Sequence, residues 1–355
     1  MSTSREHTTN DPPQGYQQRA ADAHLTPLWS FFKEWFPAEP RSAAVPHVWR
    51  YDALRPLLME AAGVISATDA ERRVLALENP GLAGQHLATD ALYAGVQLIM
   101  PGEFAPTHRH TSAALRLIIE GADTYTAVAG EKCYMRPGDL IVTPAWAWHE
   151  HRNEGHGPTI WLDVLDVPVV RYVGAGFSDH YPETQFPVKA PPGDSRYRYA
   201  RNLLPAGYRR DNATASPVFS YPYEHAYETL DHLRRHDDWD QCHGLKMEYV
   251  DPTTGGPAIP TISTFLQLVP RGFATQPYRT TASSVMTAIA GRGRVTLGGG
   301  ANARELTFGP RDLWSVPSWQ PLTISADDEC VLFSASTEAL QRKLGLWREQ
   351  RGDRA

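Results

Sequence analysis

From residue 90 onward the chain alternates short apolar runs with polar turns. LYAGVQLIM, LRLIIEG, YTAV, DLIVTP and TIWLDV are each bounded by Gly, Pro or charged residues, and runs of this length predict antiparallel strands rather than helices. The pattern before them is different. Leu28, Phe31, Phe32 and Trp35, then Leu54, Leu57 and Leu58, recur at helical spacing and are interrupted by Pro37, Pro40 and Pro46, which predicts two short helices within a lead-in segment, residues 25–89. Residues 1–24, rich in Thr, Asn, Pro and Gln, are expected to be disordered.

The strand-rich region repeats. Pro101, Phe104, Ala105, Thr111 and Ala113 return 169 positions later as Pro270, Phe273, Ala274, Thr280 and Ala282, and Gly121 returns at 170 as Gly291. Asp139, Leu140, Pro144 and Trp146 return at 173 as Asp312, Leu313, Pro317 and Trp319. Self-similarity at a near-constant offset means a duplicated unit. Two β units are therefore expected, at 90–168 and 260–336. The linker between them, 169–259, holds Pro-rich loops and one helix within EHAYETLDHLRRH, and a last helix falls in 337–355.

Composition narrows the function. With a net charge of -6 and no cluster of Lys and Arg, the chain is not built for nucleic acid. Its N-terminus lacks the apolar core of a signal peptide, and no run is long enough for a membrane span. Cys133, Cys242 and Cys330 are odd in number and far apart, which fits free thiols in a reducing, cytoplasmic setting. The sequon at Asn212 is then a coincidence of sequence.

The chemistry concentrates in two segments. PGEFAPTHRHT places His108 and His110 two apart on a predicted strand, so both imidazoles project to one face. GDLIVTPAWAWHEHRN places His149 where a partner strand can bring it to the same point. Three neutral imidazoles suit iron, zinc, copper or nickel; the bland alternative is three ordinary polar strand residues. Arg116 lies in the apolar run LRLIIEG and shares its alternation with the histidines. A buried guanidinium needs an anion, either a substrate carboxylate held bidentately or an internal acid such as Asp163. His151 shares a face with His149 and can hydrogen-bond substrate or carry a proton, or it makes a structural hydrogen bond. Arg72, in AERRVLALENPGL, is weaker on its own.

Together the two segments resemble the two-part cupin signature. Gly102, His108 and His110 satisfy the first part, and Gly138, Pro144, His149 and Asn153 the second, with Trp146 in place of the usual second glycine. The Glu that commonly adds a fourth ligand is absent, since Ala114 and Leu115 fill its window. Three protein ligands on an octahedral ion leave three positions for a bidentate substrate and dioxygen together. In the second unit, Pro277, Arg279 and Leu322 stand at the equivalent offsets, so no metal is expected there.

The segments ERRVLALENPGL, LYAGVQLIMPGE, HRHTSAALRLIIEG, GDLIVTPAWAWHEH, WLDVLDVP, HGLKMEYVDPTTGGPAIPT, GPRDLWSVPSW and LGLWREQR are similar to gentisate 1,2-dioxygenases over residues 25–351. That family also takes in salicylate and 1-hydroxy-2-naphthoate dioxygenases. The resemblance implies a mainly β bicupin, two antiparallel jelly-roll units with N-terminal and linker helices. It implies one Fe(II) per subunit on His108, His110 and His149, and a homotetramer that opens gentisate to maleylpyruvate with dioxygen. Arg72 and Arg116 would hold the carboxylate, His151 would assist the hydroxyl, and Tyr93 and Gln97 would line the substrate site. Tyr93 and Thr68 both lean toward gentisate, because salicylate-cleaving relatives more often carry Trp at the first position and some of them carry Arg at the second. Three rivals stand beside this reading: a salicylate or hydroxynaphthoate dioxygenase, a non-catalytic small-molecule-binding cupin, and a manganese oxalate-type bicupin, which would be expected to keep the missing Glu.

Overall fold

The predicted apolar runs form antiparallel ladders in the computed structural model, which describes residues 15–67, 69–208, 215–300 and 303–352. Thr68 and the Asn212 sequon lie outside the described residues. The chain divides at residue 41. The first unit holds the helices Tyr16–Asp22 and Leu28–Trp35. Helix at Tyr16–Asp22 corrects the disorder expected up to residue 24; residues 1–14 lie outside the described part.

The second unit carries both cupins, each a pair of facing sheets of the jelly-roll kind rather than a closed ring. In the first, a six-stranded sheet runs in the order Ser220–Tyr221, Leu140–Thr143, Ala114–Glu120, Thr159–Leu165, Tyr93–Ile99, Val74–Ala76. A five-stranded sheet faces it, in the order Ser178–His180, Phe104–His110, His149–Asn153, Thr124–Val128, Glu131–Met135. The second cupin repeats this plan, from His47–Trp49 to Leu245–Glu248 in the six-stranded sheet and from Arg304–Phe308 to Glu349–Arg351 in the other.

The six-stranded sheets are apolar on both faces, and this explains the unbroken hydrophobic runs. Outward-facing Val96, Leu98, Leu115, Leu117 and Leu162 join Leu266, Leu268, Val285 and Phe333 of the other cupin in one core. Inward-facing Ile99, Ile118, Ile141 and Trp161 fill the base of the first cupin, and Val269, Met286, Trp314 and Leu332 fill the second. Each such side chain stabilises the fold by about 1.5–3 kcal/mol on burial. All three cysteines are buried and unbridged.

Neither cupin is built only from its own stretch of sequence. The lead-in strand His47–Trp49 pairs with Leu313–Val316 of the second cupin, and the linker strand Ser220–Tyr221 pairs with Leu140–Thr143 of the first. The helices that follow obey the same exchange. Tyr51 N–H, opening helix Tyr51–Val64, donates to Asp312 Oδ1 at 2.9 Å, and Tyr223 N–H, opening helix Tyr223–Leu233, donates to Asp139 Oδ1 at 2.9 Å. Glu120 adds a junction, accepting from Tyr51 Oη (2.8 Å), Arg55 Nε (3.1 Å) and Arg311 Nη1 (2.8 Å). The boundaries expected at 90 and 260 thus cut through shared sheets. The C-terminal segment also differs: its helix is Glu338–Lys343, and Glu349–Arg351 returns as a strand beside Tyr278–Thr280.

The repeat needs a one-residue correction. His108 lies opposite His149, and Tyr278 lies opposite Leu322. Trp146 N–H donates to His110 O at 2.8 Å, and Trp319 N–H donates to Thr280 O at 2.7 Å. The true offset in this strand is therefore 170, and Tyr278, Thr280 and Leu322, not Pro277, Arg279 and Leu322, replace the three histidines. A slip of one residue turns every strand side chain to the opposite face, so the identities at 169 are coincidental. The second cupin still offers no imidazole at these positions.

Candidate metal centre and substrate cavity

His108 and His110 project from strand Phe104–His110, where a bulge between Ala105 and His108 sets the register that puts His108 opposite His149. His149 follows the turn containing Trp146, whose φ of 64° occupies the region a glycine would normally take. The substitution is held by packing. The Arg109 guanidinium lies between the Trp146 and Trp148 rings, 4.3 and 4.2 Å from their centroids, and Arg109 Nη2 meets Asp179 Oδ2 at 2.8 Å. Arg109 thus ties the strand bearing two of the histidines to the turn bearing the third.

One ring nitrogen from each of His108, His110 and His149 falls within 4.8 Å of the others. His110 Nδ1 lies 2.7 Å from Ser112 O and His149 Nδ1 lies 3.0 Å from Ala147 O. Carbonyls only accept, so both Nδ1 atoms carry the proton and both Nε2 atoms are left as ligands. His149 Nε2 is buried with no hydrogen-bond partner, as a metal-facing donor atom would be. Burial, and then nearby positive and histidine groups, push all three imidazoles below their ordinary pKa, that of His110 to about 4. They are neutral near pH 7, the form that binds a metal. The residues present fit a first-row transition metal.

His151 is also buried. Its Nδ1 is 2.9 Å from Thr126 Oγ1, its Nε2 has no partner, and its ring packs against Trp161. Burial holds it well below the usual histidine pKa. Arg116 Nη1 donates to Thr143 Oγ1 at 2.6 Å, and Arg116 Nε sits 3.3 Å from Asp163 Oδ1. Asp163 also accepts from Trp161 Nε1 at 3.0 Å. Arg116 therefore has an internal acid as partner. Among the described residues Arg72 pairs with no carboxylate: it donates to the carbonyls of Glu71 (2.6 Å) and Pro106 (3.0 Å) and lies against the His108 ring, 3.4 Å from Nε2. Burial, then the charge of Arg116, lowers its pKa to about 9.

Tyr93, Gly95 and Gln97 share one face of strand Tyr93–Ile99, with Asp163 opposite Gly95 and Trp161 opposite Gln97. Burial, with the Asp163 charge second, raises the Tyr93 hydroxyl to about 12. A Cβ at Gly95 would meet Val74 Cγ1 at 2.5 Å and Tyr93 Oη at 2.9 Å, so any larger residue there pushes on both side chains. Glu71, Arg72, Pro106, His108 and His180 line a cavity of about 210 Å³ beside the histidines. Gly95 and His180 carry no signal in the sequence, because each matters only through its neighbours on other strands.

Residues 95–165 match the cupin domain family. Gentisate 1,2 dioxygenase 1 of Aquipseudomonas alcaligenes is 44% identical over 92% of this chain and 93% of its own length. The chain belongs to the gentisate 1,2-dioxygenase family. A gentisate 1,2-dioxygenase of Ralstonia sp is 36% identical over 96% of this chain and 95% of its own. The crystal structure of salicylate 1,2-dioxygenase from Pseudoaminobacter salicylatoxidans as an adduct with gentisate superposes with a TM-score of 0.90 at 28% identity, covering 99% of this chain and 98% of that one. Membership in the gentisate 1,2-dioxygenase family makes the protein a ring-cleaving dioxygenase with a metal site and an aromatic substrate. Among the described residues no helix is long and apolar enough to cross a membrane.

Proposed function

We propose that the protein is a cytoplasmic, iron(II)-dependent gentisate 1,2-dioxygenase, working as a homotetramer, that opens 2,5-dihydroxybenzoate to maleylpyruvate. The observation that carries this reading is a set of three imidazoles with no fourth ligand among the described residues, beside a guanidinium that donates to two carbonyls and lies against an imidazole, in a chain 44% identical to a gentisate dioxygenase. His108, His110 and His149 would hold one iron. When bound, iron(II) supplies a centre at which the substrate and dioxygen are brought together, and both oxygen atoms enter the product.

The chain's own residues then position the substrate. Arg72 is the group assigned to its carboxylate, since a charge-assisted pair is the strongest anchor available there. Arg116, paired with Asp163 and bonded to Thr143, fixes the strand beneath the histidines and is secondary to Arg72 in holding the carboxylate. His151, its Nδ1 hydrogen-bonded with Thr126 Oγ1, is assigned to the adjacent hydroxyl through Nε2, which is buried without a partner among the described residues. Tyr93 and Gln97 line the wall, and the buried aromatic floor at Trp161 keeps water from the ring. Fixing both reactants lowers the entropic part of the barrier.

The test is iron(II) loading under anaerobic conditions, followed by gentisate and air, with oxygen uptake and ring-opened product followed together. Uptake with salicylate but not gentisate would move the substrate assignment to the salicylate group. No uptake with any hydroxybenzoate would sink the catalytic reading.

A further inference from the structure

The strand Ser178–His180 comes from the linker, yet it pairs on Phe104–His110 with His180 directly opposite His108. Residues opposite each other in a ladder project to the same side, and the two rings lie 6.4 Å apart between centroids. His180 lines the same cavity as Arg72 and His108. It is exposed, so it stands where the cavity meets solvent. Its strand neighbour Asp179 turns the other way, to Arg109.

We propose that His180 sets the preference for the ring substituent farthest from the metal-binding edge of the substrate, by hydrogen-bonding a hydroxyl or amino group there. The proposal rests on the hydroxybenzoate reading above. In that reading the carboxylate and its neighbouring hydroxyl go to the deep end, toward the three histidines and Arg72. The opposite edge of the ring then faces outward, toward the mouth of the cavity where His180 stands. An imidazole can donate to or accept from a hydroxyl, whichever tautomer it holds. Gentisate and salicylate differ only in that distal hydroxyl. A group that meets it separates the two substrates without touching the parts they share.

The experiment uses the iron-loaded enzyme. Anaerobic equilibrium binding of gentisate and of salicylate is measured for the unaltered protein, His180→Ala and His180→Gln, with kcat/KM for gentisate in air. The expected result for His180→Ala is about fivefold weaker gentisate binding, the worth of one net hydrogen bond, with salicylate binding changed by less than about twofold, and partial recovery in His180→Gln. Equal losses on both ligands would show a merely structural role and overturn the proposal, as would no loss on either. Failure of the unaltered enzyme to bind gentisate would overturn the hydroxybenzoate reading itself, which is distinct from gentisate binding that ignores His180.

Discussion

Arg116 and Asp163 face each other on neighbouring strands, with Nε 3.3 Å from Oδ1, and both are buried beneath the histidine cluster. Removing one member strands a buried charge. Arg116→Met is expected to cost about 3–5 kcal/mol of stability, while Arg116→Met with Asp163→Leu costs much less. Urea denaturation of the two variants measures this, and equal losses would contradict the pairing.

Arg72 should behave in the opposite way, because no carboxylate among the described residues is paired with it. Arg72→Met is expected to weaken substrate binding about tenfold to a hundredfold, from a lost charge-assisted contact of about 1.5–3 kcal/mol, with little change in the unfolding midpoint. A large stability loss with unchanged substrate affinity would reverse the roles assigned to the two arginines.

The metal should be single. His108→Ala and His149→Ala are expected to lose bound metal, whereas Tyr278→Phe and Leu322→Ala keep one ion per chain. Elemental analysis after dialysis decides this, and metal lost from the second pair would place a ligand in the second cupin.

Stability should fall on the acid side of neutrality in the metal-free chain. His110 is depressed to about 4 and His243 to about 3, chiefly by burial, and His108, His149 and His151 are depressed as well. As pH drops through the unfolded value of about 6.5, the unfolded chain takes up protons that the folded chain refuses, so each group removes up to about 1.4 kcal/mol per pH unit. Asp163, raised to about 6 by burial, works the other way below that pH. The histidines therefore act with least opposition between 6.5 and 6. Urea midpoints between pH 8 and 5.5 should decline, less steeply in His243→Gln; a flat profile would contradict the burial of these rings.

The exchanged helices give a further expectation. Asp312→Ala and Asp139→Ala each remove a side-chain acceptor from the first amide of a helix belonging to the other half of the chain, at a cost of about 0.5–2 kcal/mol. The metal content should not change. Thermal unfolding of both variants checks it, and a two-step transition in either would show that the halves unfold separately.

Much of this was legible in the sequence where the signal is local. His108 and His110 two apart, and the run through His149, carry their geometry in strand alternation alone. What needed the structure was long-range. The partner of Arg116 lies 47 residues on at Asp163, and nothing near either residue says which of the two readings of a buried arginine applies. Tyr51 and Asp312 are 261 residues apart, so the exchange of lead-in strands between cupins has no local trace. The repeat was visible but slipped by one, because chance identities at 169 outweighed Gly121 and Gly291, which carried the true offset. His180 sits in a three-residue strand too short to announce itself.

The exchange has one more consequence. Each half of this chain lends a strand and a helix to the other, around matching aspartates. The half that offers no imidazoles at the matching positions still supplies the edge strand and the helix that finish the half that does, so the metal site rests on both.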